Sequence, residues 1–321
     1  VTILLALLLL LPFRVDAGPY AGAYRLDAGG AVNWYFATTA LLRLPQLPLA
    51  ETRAYLDVYL AHLDPQGGIA DALPMPTGIY APIAPDSEDA YAGTLLSLAA
   101  RYREESHDDA WWRQHAATLA SIAYNKILER IKPDGLVRAS DTDPTGYLMD
   151  NVEDYAGLRA FAGALSATHA HDAEYVHEFV APLGAAIDRL YDDQARAYRW
   201  SDSDPLGAMA PYPACVAQLY PQLYDVRSGD RSLDRRHRAG ARAAAARCHF
   251  SPATSPHEAL LYALYISMLP DPSRQERAFA REASAARYPS DLITISLRDA
   301  LRQNHPLAIQ KRYASNVRFF T

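Results

Sequence analysis

From residue 29 onward, apolar side chains recur at three- and four-residue spacing, rich in Ala and Leu, with Pro and Gly mostly confined to the breaks. A 3.6-residue period of this kind predicts amphipathic or buried helices. The boundaries fall near 29–44, 49–62, 88–103, 108–131, 151–169, 173–192, 212–227, 231–247, 256–269, 273–286 and 290–303. Most of these helices come in pairs, so the chain is expected to be all-α.

The segments between pairs resemble one another. Asp64-Pro65-Gln66-Gly67-Gly68-Ile69 precedes the helix near Asp86, and Lys132-Pro133-Asp134-Gly135-Leu136-Val137 precedes the one near Asp150. Gln194-Ala195-Arg196-Ala197-Tyr198-Arg199-Trp200 precedes a third near Tyr212. Gly68 and Gly135 stand 67 residues apart, Asp86 and Asp150 64, and Asp150 and Tyr212 62, so each period holds one helical hairpin and one long connection. Long connections on one side only are usually functional. The arrangement resembles the six-hairpin glycosidases, and the resemblance covers most of residues 20–303. It implies an all-α (α/α)6 toroid with inner and outer helix rings and long loops shaping a cleft over the inner N-termini.

Composition narrows the partners. The chain has 321 residues, 50% hydrophobic and 21% charged, enough for one large core across residues 18–321. A net charge of −6 leaves no basic field for a nucleic-acid backbone. Residues 1–17 open with an apolar run over 1–11, a breaker at Pro12 and Val15-Asp16-Ala17 as a cleavage site. That run is too short to span a bilayer and reads as a signal peptide, with an uncleaved N-terminal anchor as the rival reading. The expected location is therefore secreted or periplasmic. Cys215 and Cys248 fall near opposite ends of adjacent predicted helices, where they either bridge, as an oxidising compartment allows, or stay as two buried thiols. The sequence implies no metal and no cofactor.

Chemistry concentrates at two predicted helix starts. APDSEDAYAG carries Asp86, Glu88 and Asp89, and YLMDNVEDYAGL carries Asp150, Asn151, Glu153 and Asp154. With packed helix axes about 10 Å apart, acids from the two segments can reach the roughly 6.5–9.5 Å separation of an inverting glycosidase. Crowding of like charges favours a proton donor in the first cluster, at Glu88 or Asp86, and a helix N-terminus favours Asp150 as the ionised base. Asn151 is the candidate for orienting water or a sugar hydroxyl. Capping is the competing explanation: Asp86 with Asp89, and Asp150 with Glu153, also stand at capping-box spacing. APDSEDAYAGTLL further resembles the Asp-x-Asp-x-x-x-Ala-Tyr stretch of glycoside hydrolase family 8, with Asp86 and Glu88 where that family has two Asp; the family's Ser-Glu-x-x-x-Tyr motif is absent from residues 18–60.

The chain has 21 Tyr against 8 Phe, an excess of rings suited to stacking on sugar faces in a half-wet cleft. Trp34, Tyr91, Tyr155, Trp200 and Tyr212 are the candidates for substrate contact. The expected function is a glycoside hydrolase acting on a polysaccharide. A polysaccharide lyase, or a non-catalytic glycan-binding protein of an exopolysaccharide secretion machinery, are the alternatives.

Overall fold

A computed structural model describes residues 10–302, apart from 86, 167–168, 205–208 and 289. It is 58% helix and 7% strand, with no closed sheet. In chain order the elements are α1 (Trp34–Arg43), α2 (Leu49–Ala61), β1 (Asp71–Pro74), β2 (Tyr80–Ile83), α3 (Glu88–Ser106), α4 (Asp109–Ile122), α5 (Leu148–Leu165) and α6 (Ala170–Asp188). They continue with β3 (Tyr191–Asp192), β4 (Ala197–Tyr198), α7 (Tyr220–Leu223), α8 (Arg231–Ala245), α9 (Pro256–Met268), α10 (Arg274–Ala285) and α11 (Leu292–Arg302).

Periodicity located these helices well, with two departures. The expected helix over 108–131 ends at Ile122, after which the coil widens into a π turn over Ala123–Ile127 and tightens into a 3-10 turn over Leu128–Arg130. The expected helix over 212–227 is broken: Pro211–Cys215 form a π turn, Tyr212 is extended, and only Tyr220–Leu223 are regular α-helix. Pro211, Pro213 and Pro221 lack the amide hydrogens a continuous helix would need.

The repeat seen in the sequence is a repeat of backbone conformation. Gly67, Gly135 and Arg196 occupy corresponding turns, and all three have φ in the left-handed region, 78°, 85° and 54°. The first turn closes through Asp64 N–H to the Gly68 carbonyl, the second through Lys132 N–H to the Leu136 carbonyl. The first leads into the β1–β2 hairpin, whereas Arg196 lies in the turn that joins β3 to β4.

Helices α3 and α5 are buried almost all round, whereas α8 and α10 bury a narrow stripe and expose Arg and Glu. The buried helices pack in succession: α11 on α1, α1 on α3, α3 on α5, α5 on α7, and α9 on α11. Tyr265 of α9 donates a hydrogen bond to Gln222 of α7 at 3.1 Å. Arg101 donates to the carbonyls of Leu42 and Leu44 at 2.8 and 2.7 Å, supplying positive charge and donors where α1 ends.

The α3–α5 contact is the most extensive between two elements among the described residues, and glycine lets the two backbones meet in it. A Cβ on Gly157 would overlap the carbonyl of Gly93, and one on Gly93 would come within 2.8 Å of the Asp154 amide. Both residues sit inside helices, where glycine costs about 1 kcal/mol against alanine, so close approach must offset that cost.

Leu10, Phe13 and Val15 are buried in the core, and Arg14 bridges to Tyr24 in antiparallel fashion. Residues 1–9, which hold most of the expected signal core, and residues 303–321 lie outside the described residues. Among the described residues no helix is long and apolar enough to cross a membrane. Cys215 and Cys248 form a disulfide, which resolves the choice between bridge and thiols.

Two stability predictions follow from these contacts. Gly157→Ala lowers the melting temperature by an amount equivalent to about 1–3 kcal/mol, the usual cost of forced overpacking. Gly29→Ala, where an added Cβ meets nothing within 4 Å, leaves it unchanged; equal effects would contradict the close-approach account. Cys248→Ser, which opens a loop of 33-residue separation, costs on the order of 3–4 kcal/mol in thermal unfolding without reductant. With dithiothreitol present, the variant and the wild type should converge.

Candidate functional site

The first turns of α3 and α5 bring together acids that are far apart in sequence. Asp89, Glu153 and Asp154 are at most 1% exposed, and Asp150 is half-buried. Ser87, the residue before α3, joins two of them: its Oγ lies 2.5 Å from Asp89 Oδ1 and 2.6 Å from Asp150 Oδ2. A hydroxyl carries one proton. With Ser87 donating to one carboxyl, the other contact needs a proton on the carboxyl side, so the Asp89–Ser87–Asp150 chain is built to hold one.

Neither helix uses these acids as caps. The N-cap positions belong to Ser87 and Tyr147, and neither side chain caps its helix. The Glu88 amide is satisfied by the Ala139 carbonyl at 2.9 Å, and the Asn151 amide by the Tyr147 carbonyl. Capping therefore does not account for Asp150 and Glu153, although Asp89 does accept the Ala90 amide at 2.9 Å.

Burial sets the protonation. Loss of water raises Asp89 to about 7, against smaller opposing hydrogen bonds from Ser87 and Ala90. Burial likewise raises Glu153 to about 8, although the Tyr35 and Tyr224 hydroxyls donate to its Oε1 at 2.8 and 3.1 Å. Asp154 is raised well above its ordinary value, first by burial and then by its neighbours Asp89, Asp150 and Glu153. Neither Asp154 oxygen, nor Asp89 Oδ2, nor Glu153 Oε2 finds a donor among the described residues. A proton shared between the Asp89 and Asp154 carboxyls relieves part of that deficit.

Glu88 differs from its neighbours. It accepts from Lys126 Nζ at 2.9 Å and Arg130 Nη2 at 2.7 Å. Burial pushes its pKa up, but these two cations outweigh burial and leave it below the ordinary carboxylate range. The expectation of a protonated donor at Glu88 is thus corrected. Asp86, the other expected donor, lies outside the described residues.

Asn151 is also reassigned. Its side chain accepts the Val137 amide at 2.7 Å and donates to the Val137 and Tyr147 carbonyls at 3.0 and 2.9 Å, fully buried. It clamps the 131–147 connection onto α5 and has no donor left for water or sugar. Among the aromatic candidates, Trp34 is buried against Tyr55, Tyr59 and His62 and donates Nε1–H to the Ala70 carbonyl. Tyr91 is buried and donates to Asp71 Oδ2 at 2.9 Å, while Tyr155 is buried beneath the Arg159 guanidinium. These three are packing residues. Trp200 is half-buried and stacks on Tyr147 at 5.7 Å and 10°, and Tyr212 is 61% exposed.

The roles of three participants are not legible in the sequence. Ser87 stands between acids in the sequence, which was its signal. Asp154 was noticed only as part of the cluster, although it is the most buried of its acids together with Asp89. Asp71, which accepts from Asn33, the Trp34 amide and Tyr91, gave no sequence signal because all its partners are distant in the chain or on another element. Among the described residues no group of acids, His and Cys has the geometry to hold a metal ion. Comparison with protein-family models and with curated proteins gave no match to this chain.

The raised carboxyls fix the sign of a pH dependence. Each binds its proton more tightly folded than unfolded, so its stabilising contribution is complete below an unfolded value near 4 and is lost as pH rises through its folded value. The melting temperature should therefore fall from pH 5 to pH 9, by an amount equivalent to a few kcal/mol. Asp154→Asn, which places a neutral donor beside Asp89, should shrink that fall by half or more. A flat profile in the wild type, or an unchanged slope in the variant, would contradict buried protonated acids.

Proposed function

We propose that this protein is an exported glycoside hydrolase acting on a polysaccharide, built as an (α/α)6 toroid. Support for the toroid comes from the succession of buried helices, α11, α1, α3, α5 and α7, with α9 touching both α11 and α7. Alternating short and long connections fit the same architecture. The disulfide fits an oxidising, extracytoplasmic compartment.

One observation carries the catalytic reading: half-exposed Asp150 is tied through Ser87 to buried Asp89 and lies on the same helix end as the Tyr147–Trp200 stack. Asp150 is the carboxyl that reaches substrate. Asp89, raised to about 7, stores a proton near neutral pH, and Ser87 passes it to Asp150, which protonates the leaving oxygen. This reverses the expected role of Asp150 as base. The Ser87 bonds hold the bridged oxygens of Asp89 and Asp150 within about 5 Å, short of the roughly 6.5–9.5 Å of an inverting pair. Asp89 is fully buried, so it cannot serve as the nucleophile of a retaining pair either. The second carboxylate of the proposal is Asp86, retained on the sequence pattern alone, and inversion rests on that choice. The exposed faces of Trp200 and Tyr212 supply stacking surface for sugar rings.

The test is a reducing-end assay of the full chain on neutral, amino-sugar and uronate polysaccharides. Release of sugar ends by the wild type should fall at least 100-fold in Asp150→Asn, within the range for loss of general acid catalysis, with melting unchanged. Trp200→Ala should raise KM more than it lowers kcat. Wild-type activity in Asp150→Asn would reject the assignment. Binding without turnover on every polymer would favour the glycan-binding alternative, which the deep burial of most of the acids also fits.

A further inference from the structure

On the other side of the α3 start, away from the Asp89–Asp150 bridge, lies a polar cavity of 330 Å³. Its wall is formed by the loop before β1, the turns that follow α4, and the 131–147 connection. The widened turn over Ala123–Ile127 and the tight turn after it leave Lys126 and Arg130 buried at 5% and 3% exposure, both bonded to Glu88. Turns of this widened kind are frequent at functional sites. Gly68 makes room for the ammonium: a Cβ there would stand 3.0 Å from Lys126 Nζ.

The cations outnumber their buried counter-charge. Glu88 accepts from both; Asp141, an exposed carboxylate, is shared by Arg130 and Arg138, and the exposed Asp64 carboxylate borders the same Gly68 position as the Lys126 ammonium. Arg130 Nη1 is buried with no hydrogen-bond partner among the described residues. A guanidinium does not shed its proton, so an unsatisfied buried N–H of this kind is costly unless an acceptor arrives from outside. Glu129 also borders the cavity but is exposed, where water screens it.

We infer that this cavity binds a sugar-sized anion through its carboxylate, with Arg130 Nη1 as the buried donor and Arg138 at the mouth. The volume falls within the range of small-molecule sites and exceeds what a bare ion needs. The Gln66 side-chain amide supplies a donor and an acceptor for sugar hydroxyls, and Asn125, whose Nδ2 already donates to Ser121 Oγ and the Gln66 carbonyl, adds an acceptor at Oδ1. The assignment concerns binding and does not depend on the hydrolytic reading.

Isothermal titration of the full chain at pH 7 and fixed ionic strength tests it, with sodium glucuronate, glucose and sodium sulfate as probes. Glucuronate should bind in the millimolar range and glucose and sulfate far more weakly. Arg138→Gln should weaken glucuronate several-fold while keeping the wild-type melt, and Asp150→Asn should bind as wild type. Arg130→Gln should abolish binding if circular dichroism shows it folded, and Arg138→Gln carries the test if it does not. Equal binding of glucuronate and glucose, sulfate binding as tightly as glucuronate, or wild-type affinity in Arg138→Gln would overturn the assignment. Loss of binding in Asp150→Asn would move the anion to the acid cluster and overturn it as well, whatever the outcome of the hydrolysis assay.

Discussion

The backbone contact between Gly93 and Gly157 is the constraint on which the site depends. With no side chain at either position, α3 and α5 approach until the Asp154 amide would touch a Cβ on Gly93. That approach brings the first turns of both helices into one volume, and the acids they carry go with them. Larger residues would hold the helices apart and let water between the carboxyls. The site is therefore a consequence of how two glycines pack, four residues beyond Asp89 on α3 and three beyond Asp154 on α5.

Two opposing electrostatic effects then sort the acids. Helix N-termini favour the ionised form by up to about 2 kcal/mol, whereas full burial of a carboxylate without donors costs more than that. Asp89, Glu153 and Asp154 are buried and are pushed toward the protonated form; Glu88 meets two cations and stays charged. Asp150 is the only member of the α3–α5 cluster among the described residues that is both half-exposed and joined to a buried neighbour through a hydroxyl. One short stretch of α3 thus faces a proton-storing cluster on one side and a cationic cavity on the other, and the change of character occurs between adjacent residues, Glu88 and Asp89.

Helices such as α8 and α10 are legible because their burial follows a 3.6-residue period, α3 and α5 because long Ala- and Leu-rich runs suit helices buried all round, and the repeat because Gly67 and Gly135 mark left-handed turns. Arg196 shows the limit of that reading, since the same turn is made there without glycine. The carboxylate segments were legible as clusters, but their internal roles were not. Acids one residue apart on a helix point about 100° apart, so Glu88 and Asp89 enter different surroundings. Asn151 looked like a polar site residue because its partners are backbone groups of a loop, which a sequence does not display. Trp34 and Tyr91 look like cleft residues in the sequence because they lie in the first turns of helices at the expected mouth, yet β1 and the segment before α1 cover them.

The central claim is that the cluster between α3 and α5 holds protons at neutral pH. Carbon-13 NMR of the carboxyl groups, followed from pH 4 to pH 9 and assigned with Asp89→Asn and Glu153→Gln, measures this directly. The account predicts midpoints near 7 for Asp89 and near 8 for Glu153, with a protonated carboxyl still visible at pH 6.5. Complete ionisation of every carboxyl below pH 5 would contradict it.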